Sequence, residues 1–459
     1  MVADKTQDKP TVEELLAKAT KPVQIAPALH KFYGGKMQVM PRCAVTSLDD
    51  FAVWYTPGVA APCRLIQANP ERSFDLTNRW NSVAVISDGT RVLGLGDIGP
   101  EAALPVMEGK ALLFKYLGGV DAVAICLRTK DPDEIVRTCE LLEPTFGGIN
   151  LEDIEKPTCF HILEKARDKM KIPVWHDDQQ GTATVILAGL INSLKIVGKK
   201  PQDTLITLVG AGAANIRTAY VLIRWGIKPG NIILADTKGV VHGNRKDITR
   251  EEDPWKYELT QVTNSEGRTG DISEAFKGVD VVVAASKQGP GTIKPEWVKT
   301  MADKGVVFAC ANPIPEIWPW EAEEAGACII ATGRNDFPNQ VNNSLGFPGI
   351  FRGVLDVKAK TITDDMCIAA ALELAKFAEQ RGMNEKDILP RMEEWEVFPQ
   401  EAVACALKSI EQGVARIKLS RQELYENASS IIRNARESTE TLMRKGLIRP
   451  PPSEAELLK

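Results

Sequence analysis

The chain has 459 residues, 44% of them apolar, with 56 basic against 61 acidic residues for a formal net charge of −5. That length exceeds what one hydrophobic core usually serves and points to two or three domains. Acidic and basic residues are intermingled, so no basic face for nucleic acid is announced, and no apolar run approaches the roughly 20 residues of a membrane span.

Nine cysteines stand singly, mostly inside apolar runs and without Cys-x-x-Cys pairs. Reduced, buried thiols are expected rather than a disulfide framework, which a core of this size does not need. Residues 1 to 14 are polar and lack an apolar signal core, so a cytoplasmic location is the expectation.

In chain order, a charged lead-in holds a possible short helix at Val12 to Ala19. From Ser82 to Leu95, two strand-like runs flank Ser87-Asp88-Gly89-Thr90, and an Asp-Gly step between such runs predicts a hairpin. A helix over Glu101 to Leu117 stops at Gly118-Gly119. Strands at Val120 to Leu127, Gly148 to Leu151 and Ile172 to Trp175 then alternate with helices at Asp133 to Leu142 and Cys159 to Met170. Such alternation means a parallel α/β sheet.

Thr182 to Val197 reads as a long apolar helix leading out of this first domain. A second α/β unit takes strands at Leu205 to Val209, Ile232 to Ala235, Val279 to Ala285 and Val306 to Ala309. Three helices follow at about 364 to 381, 400 to 414 and 420 to 445, before Arg449-Pro450-Pro451-Pro452 ends regular structure. The predicted architecture is α/β with two parallel-sheet domains, residues 1–180 for substrate and metal and residues 181–345 a doubly wound, Rossmann-like dinucleotide domain. Residues 346–459 form a C-terminal helical segment and tail.

Gly210-Ala211-Gly212-Ala213-Ala214-Asn215 follows a β-branched strand and opens a helix at Ile216 to Trp225, the context that makes a glycine pattern a dinucleotide fingerprint. Gly210 and Gly212 permit a tight turn and close approach to a pyrophosphate at the helix N-terminus. Asn215 stands where a third glycine would allow close helix–strand packing. Asp236, ending the next strand, sits where an acid bonds the adenosine ribose and favours NAD, whereas Lys238 offers a partner for the 2′-phosphate of NADP.

Glu152-Asp153 and Asp177-Asp178 end two neighbouring strands, so four acids should emerge together at the carboxyl edge of the first sheet. Carboxylates with room for water suit Mg²⁺ or Mn²⁺, and the absence of a Cys/His cluster argues against zinc. His176 reads as a packed or supporting histidine. Tyr55, ahead of Thr56-Pro57-Gly58-Val59, is either an aromatic anchor or an acid; Lys110 is either a solvated helix lysine or a buried base of lowered pKa.

Taken together, these stretches resemble the malic enzymes, in particular the shorter bacterial and archaeal form. The likeness runs through Tyr55 to Val59, Ser87-Asp88-Gly89 with Gly94 to Gly99, Pro105 to Lys110, Phe146 to Asp153, His176 to Ala183, and Gly210 to Ala214. It continues through Ala311-Asn312-Pro313 and Asp336 to Asn343.

The resemblance implies oxidative decarboxylation of L-malate to pyruvate and CO2 with NAD, or NADP, and a divalent metal. It casts Lys110 as the base for the C2 hydroxyl, Glu152, Asp153 and Asp178 as metal ligands, and Tyr55 as the acid that protonates C3. Asp177 would support a ligand or lie near the cofactor. Arg91 would grip a substrate carboxylate, and Asn312 and Asn343 would bond substrate or nicotinamide. Family members assemble, so a homodimer or higher homo-oligomer is expected. Gln180, Asn215, Ser344 and Gly346 depart from the family pattern and leave substrate size and cofactor preference open, a substituted malate among the alternatives. A malolactic-type conversion to lactate is a further alternative, as is a nucleotide-binding homologue without turnover, whose sign would be a missing catalytic group, and none is missing.

Overall fold

The computed structural model describes residues 11–458. The chain divides into two compact units, Pro41–Arg436 and a smaller one drawn from Met1–Met40 and Glu437–Lys459. In the smaller unit the first helix spans Val12–Tyr33, well beyond the expected Val12 to Ala19, capped by a reciprocal Thr11–Glu14 pair. Its end is met by Arg449, whose guanidinium lies 4.5 Å from the Phe32 ring centroid. The proline run therefore does not end regular structure: a short helix, Glu454–Leu457, follows it.

The first sheet of the larger unit has four parallel strands, β1 Ser82–Ser87, β2 Asp121–Cys126, β3 Gly148–Leu151 and β4 Val174–His176, in the order β2-β1-β3-β4. The predicted hairpin at Asp88-Gly89 does not form. Both edges of β1 are taken by parallel partners, β2 and β3, so the run after Gly89 finds no edge to pair with. It turns back on itself through a single Val92–Gly96 bridge. Because β1 is buried on both faces it reads as continuous apolar sequence.

Val83 and Val85 on one face of β1 pack with Met107 and Phe114 of the helix Pro100–Gly118. The same cluster takes in Phe347, Phe351, Met366, Val403 and Leu424 from the helices that follow residue 346. The C-terminal helices thus return to the first sheet. Each such aromatic or branched side chain, fully buried, stabilises the fold by roughly 1.5–3 kcal/mol before entropy is counted.

The second sheet runs β10-β9-β8-β5-β6-β7: β5 Ile206–Val209, β6 Ile232–Asp236, β7 Gly239–Val240, β8 Val281–Ala284, β9 Val306–Ala309 and β10 Ile329–Thr332. Only the short β7 is antiparallel. Chain order reverses at β5, between β6 and β8, the switch point where doubly wound folds bind nucleotides. The edge strands β7 and β10 escape sequence reading, β7 because its two residues are too few to show a pattern.

Joining the two sheets is the continuous helical stretch Asp177–Val197, 21 residues with a mean hydropathy of 1.3. Its length and composition match a membrane span, contrary to the sequence reading. It is instead a core helix, with 83% of its most apolar window buried inside the chain. A Cβ on its Gly189 would stand 3.1 Å from Phe308 Cζ of β9.

Candidate active site

Glu152 and Asp153 follow β3, and Asp177 and Asp178 follow β4; since β3 pairs with β4 in parallel, both acidic turns leave the same sheet edge. Glu152, Asp153 and Asp178 each offer a carboxylate oxygen within 4.8 Å of the other two. The Asp153 backbone amide donates to Asp178 Oδ2 at 2.9 Å, while Asp153 Oδ2 is buried without a partner. Asp153 holds φ 54°, a left-handed conformation that costs free energy in a non-glycine residue and is retained where function demands it.

A cluster of buried acids is unstable unless protonated or neutralised. Burial, reinforced by neighbouring Asp178, lifts the Asp153 carboxyl to about 8. An orphaned oxygen, three converging carboxylates and hard donors fit Mg²⁺ or Mn²⁺.

Lys110 lies in the middle of the helix Pro100–Gly118, only 7% exposed. Its Nζ is 2.5 Å from Asp177 Oδ2, 3.0 Å from Glu152 Oε1 and 4.4 Å from the Phe347 ring centroid. The expected lowering of its pKa is reversed here. Burial favours the neutral amine, but Asp177 and Glu152 outweigh it and hold the proton on.

Asp177 is therefore a lysine partner. It is wholly buried, it accepts from Trp175 Nε1 at 3.1 Å, and a Cβ on Gly181 would overlap its Oδ1. His176 is fully buried beside Asp178, 3.7 Å from Nδ1 to Oδ2, and burial drives its pKa down to about 3, leaving a neutral imidazole.

The loop bearing the acids reaches the second sheet. Lys156 Nζ donates to the Ala211 carbonyl of the glycine loop at 2.6 Å and pairs with Asp253, also at 2.6 Å. Gly210, at φ 94°, donates its amide to Ala235 O at 2.8 Å, and a Cβ there would meet Ala285 O at 2.6 Å. Gly212 caps the helix Ala213–Trp225 with open space around its Cα, and Ala213 and Ala214 form a small-residue first turn. Asn215 does not loosen the packing: it is fully buried, and its Nδ2 donates to Val209 O at 2.8 Å.

Other expected residues spread more widely. Burial raises the Asp178 carboxyl, and exposed Arg91 is close enough to oppose that rise in small part; the Arg91 amide donates to Asp153 O at 3.0 Å. Asn343 approaches the Asp177 turn, its Cβ 3.2 Å from where a Gly181 Cβ would stand. Asn312 is exposed in the loop after β9, against Gly333.

Gln180 and Ser344, read from sequence as substrate-shaping departures, are buried and bonded inward. Gln180 accepts from the His176 amide at 3.2 Å, and Ser344 meets Met392 Sδ at 2.8 Å. Tyr55 is 70% exposed, and no described contact joins it to Lys110.

Four participants went unread in the sequence: Phe347 over Lys110, Arg217 of the nucleotide helix bonded to Gln179 at 3.2 Å, and Arg245 and Lys256 on Asp236. Phe347 could have been found from its place in an apolar helix start; Arg245 lies in a polar loop and Lys256 on the short helix Pro254–Val262, neither with a periodicity to flag it.

A loop that carries acids from one sheet edge and reaches the glycine loop of another through Lys156 is the arrangement expected of the metal-assisted, dinucleotide-dependent dehydrogenases. Within that class the chain belongs to the malic enzyme family: residues 34–167 match the malic enzyme N-terminal domain and residues 179–410 the malic enzyme NAD binding domain. It is 44% identical over 403 residues to the bifunctional malic/malolactic enzyme of Bacillus subtilis, covering 88% of this chain and 97% of that one. It is 47% identical to the NAD-dependent malic enzyme of Geobacillus stearothermophilus, covering 83% of this chain and 78% of that one. The malic enzyme structure from Entamoeba histolytica superposes with a TM-score of 0.94 at 46% identity, over 98% of this chain and 95% of that one. That from Pyrococcus horikoshii gives 0.88 at 45%, over 92% and 98%.

Proposed function

We propose that this chain converts L-malate to pyruvate and CO2 while reducing NAD or NADP. The observation that carries the reading is Lys110 Nζ held between Asp177 and Glu152 at the edge of a three-carboxylate cluster. A divalent cation held by Glu152, Asp153 and Asp178 would supply Lewis acidity toward the substrate's oxygens. Neutralising Glu152 would weaken one of the two attractions that hold the Lys110 proton, the other being Asp177; once that proton has passed to solvent, the neutral amine accepts that of the C2 hydroxyl as hydride leaves C2 for the nicotinamide. The C3–C4 bond then breaks, its electron pair staying on C3 as CO2 departs, and a proton delivered to C3 completes pyruvate. Arg91 would meet a substrate carboxylate, and Asn312 and Asn343 the substrate or the nicotinamide.

Tyr55 as the acid at C3 requires a second copy of this chain. It sits among exposed apolar residues Val45, Leu48, Phe51, Val53 and Trp54, a face that a single chain leaves uncovered. In a homo-oligomer that face is buried against a neighbouring copy, and Tyr55 enters the neighbour's site.

The test is turnover. Purified chain with L-malate, Mg²⁺ or Mn²⁺ and either nucleotide should yield reduced nucleotide and pyruvate in equal amounts; none with either nucleotide would sink the reading. The likeness to a bifunctional malic/malolactic enzyme favours also measuring lactate in the same mixture.

A further inference from the structure

Asp236 ends β6 one residue after Ala235, whose carbonyl accepts from the Gly210 amide, so it stands beside the glycine loop where an acid would read the adenosine ribose. Its carboxylate is fully engaged. Oδ1 accepts from the Lys238 amide at 2.8 Å and from Arg245 Nη1 at 2.9 Å; Oδ2 accepts from Arg245 Nη2 at 3.1 Å and from Lys256 Nζ at 2.6 Å. A carboxylate has about four acceptor sites, and these four donors fill them. None remains for a ribose 2′-hydroxyl.

The cations, by contrast, keep donors to spare. Lys256 spends one of its three N–H groups on Asp236, and Lys238 spends one on Asp247 at 2.9 Å. Arg245 also forks onto Asp247, through Nε at 2.8 Å and Nη2 at 2.6 Å, which locks the guanidinium in place and leaves an Nη1 hydrogen unused. Three cations against two carboxylates leave this corner net positive. Arg245 and Lys256 are largely sheltered, with side chains 10% and 15% exposed, so their field is less screened than that of free surface lysines.

We propose that Arg245, Lys256 and Lys238 form a receptor for the 2′-phosphate of an adenine dinucleotide, with Asp236 as the anchor that orients them, so that this chain prefers NADP to NAD. The inference rests on the dinucleotide site assigned above and overturns the sequence-level expectation that Asp236 selects NAD. The phosphate brings three strong acceptors to the spare Arg245 Nη1 hydrogen, held in place by the two carboxylates, and to two ammonium groups, and charge-assisted bonds of that kind outweigh a ribose hydroxyl with no free partner.

Calorimetry with two fragments isolates the contact without any need for turnover: adenosine 2′,5′-bisphosphate and 5′-AMP differ only in the 2′-phosphate. The bisphosphate should bind at least about tenfold more tightly, an advantage of about 1.4 kcal/mol that shrinks with added salt. Arg245→Gln and Lys256→Gln should each remove most of that advantage while leaving 5′-AMP affinity unchanged or improved. Exposed Lys238→Gln, which carries no folding burden, should remove part of it. Equal affinity for the two fragments, or an advantage that survives all three substitutions, overturns the proposal. Selective binding without malate turnover would instead sustain this proposal and defeat the reading of the reaction.

Discussion

Lys110 Nζ and Asp177 Oδ2 are 2.5 Å apart although 67 positions separate them in the chain, one in the middle of a helix and the other at the end of a strand. The pair makes a buried ammonium tolerable and fixes where a proton can be taken up. Lys110→Ala should lower kcat by about 10²–10⁴-fold, the usual worth of a positioned acid–base group, with nucleotide affinity unchanged. Asp177→Asn should lower kcat and shift the pH–rate profile, because the amine loses its largest attraction. Unchanged turnover in Lys110→Ala, measured by nucleotide reduction, would remove it from the chemistry.

Gly181 offers a subtler handle on the same pair. A methyl group there would overlap Asp177 Oδ1, so Gly181→Ala should push Asp177 off Lys110 and cut kcat by about tenfold or more, with a stability loss of about 1–3 kcal/mol from overpacking. Near-normal kcat in a stably folded Gly181→Ala protein would show that the site tolerates displacement of Asp177.

Metal binding should be linked to protons. The Asp153 carboxyl, lifted to about 8 by burial and Asp178, is protonated at neutral pH without a cation and must ionise to ligate one. A raised carboxyl penalises the metal-free fold progressively as pH climbs from the ordinary carboxylate range through 8, and a bound cation relieves that penalty. Mg²⁺ should therefore raise the Tm more above pH 8 than near pH 6. Titrations in buffers of different ionisation enthalpy should report proton release, and identical heats in all buffers would contradict it.

If Tyr55 serves a neighbouring copy, two inactive proteins should rescue each other. Tyr55→Phe and Lys110→Ala homomers should each be nearly dead, whereas a mixture allowed to exchange subunits should regain about a quarter of the wild-type activity if the oligomer is a dimer with shared sites. No recovery on mixing, or a monomer by light scattering, would return Tyr55 to its own chain.

Much of the fold is legible in the sequence, because the strands at 148–151 and 306–309 and the helix at 364–381 carry strong local patterns. The acids were legible for the same reason: a carboxylate at the end of a buried strand announces itself. What sequence could not give was partnership across distance. The Asp88-Gly89 step mimicked a hairpin because local turn chemistry is blind to β2 and β3 occupying both edges of β1. Asp236 looked free because Arg245 and Lys256 arrive from a loop and a helix that carry no periodic signal, and Gln180 and Ser344 looked substrate-facing until their inward bonds were seen.

The rod Asp177–Val197 begins as the acid turn of one sheet and passes Phe308 in the other, while the two family models meet at a gap, residues 168 to 178, that contains its first two acids. Cutting the gene at that boundary would hand the lysine to one fragment and the carboxylate beside it to the other's frayed end. The boundary between the two matched domains is thus not a seam in the fold: at this helix one rod of backbone serves both.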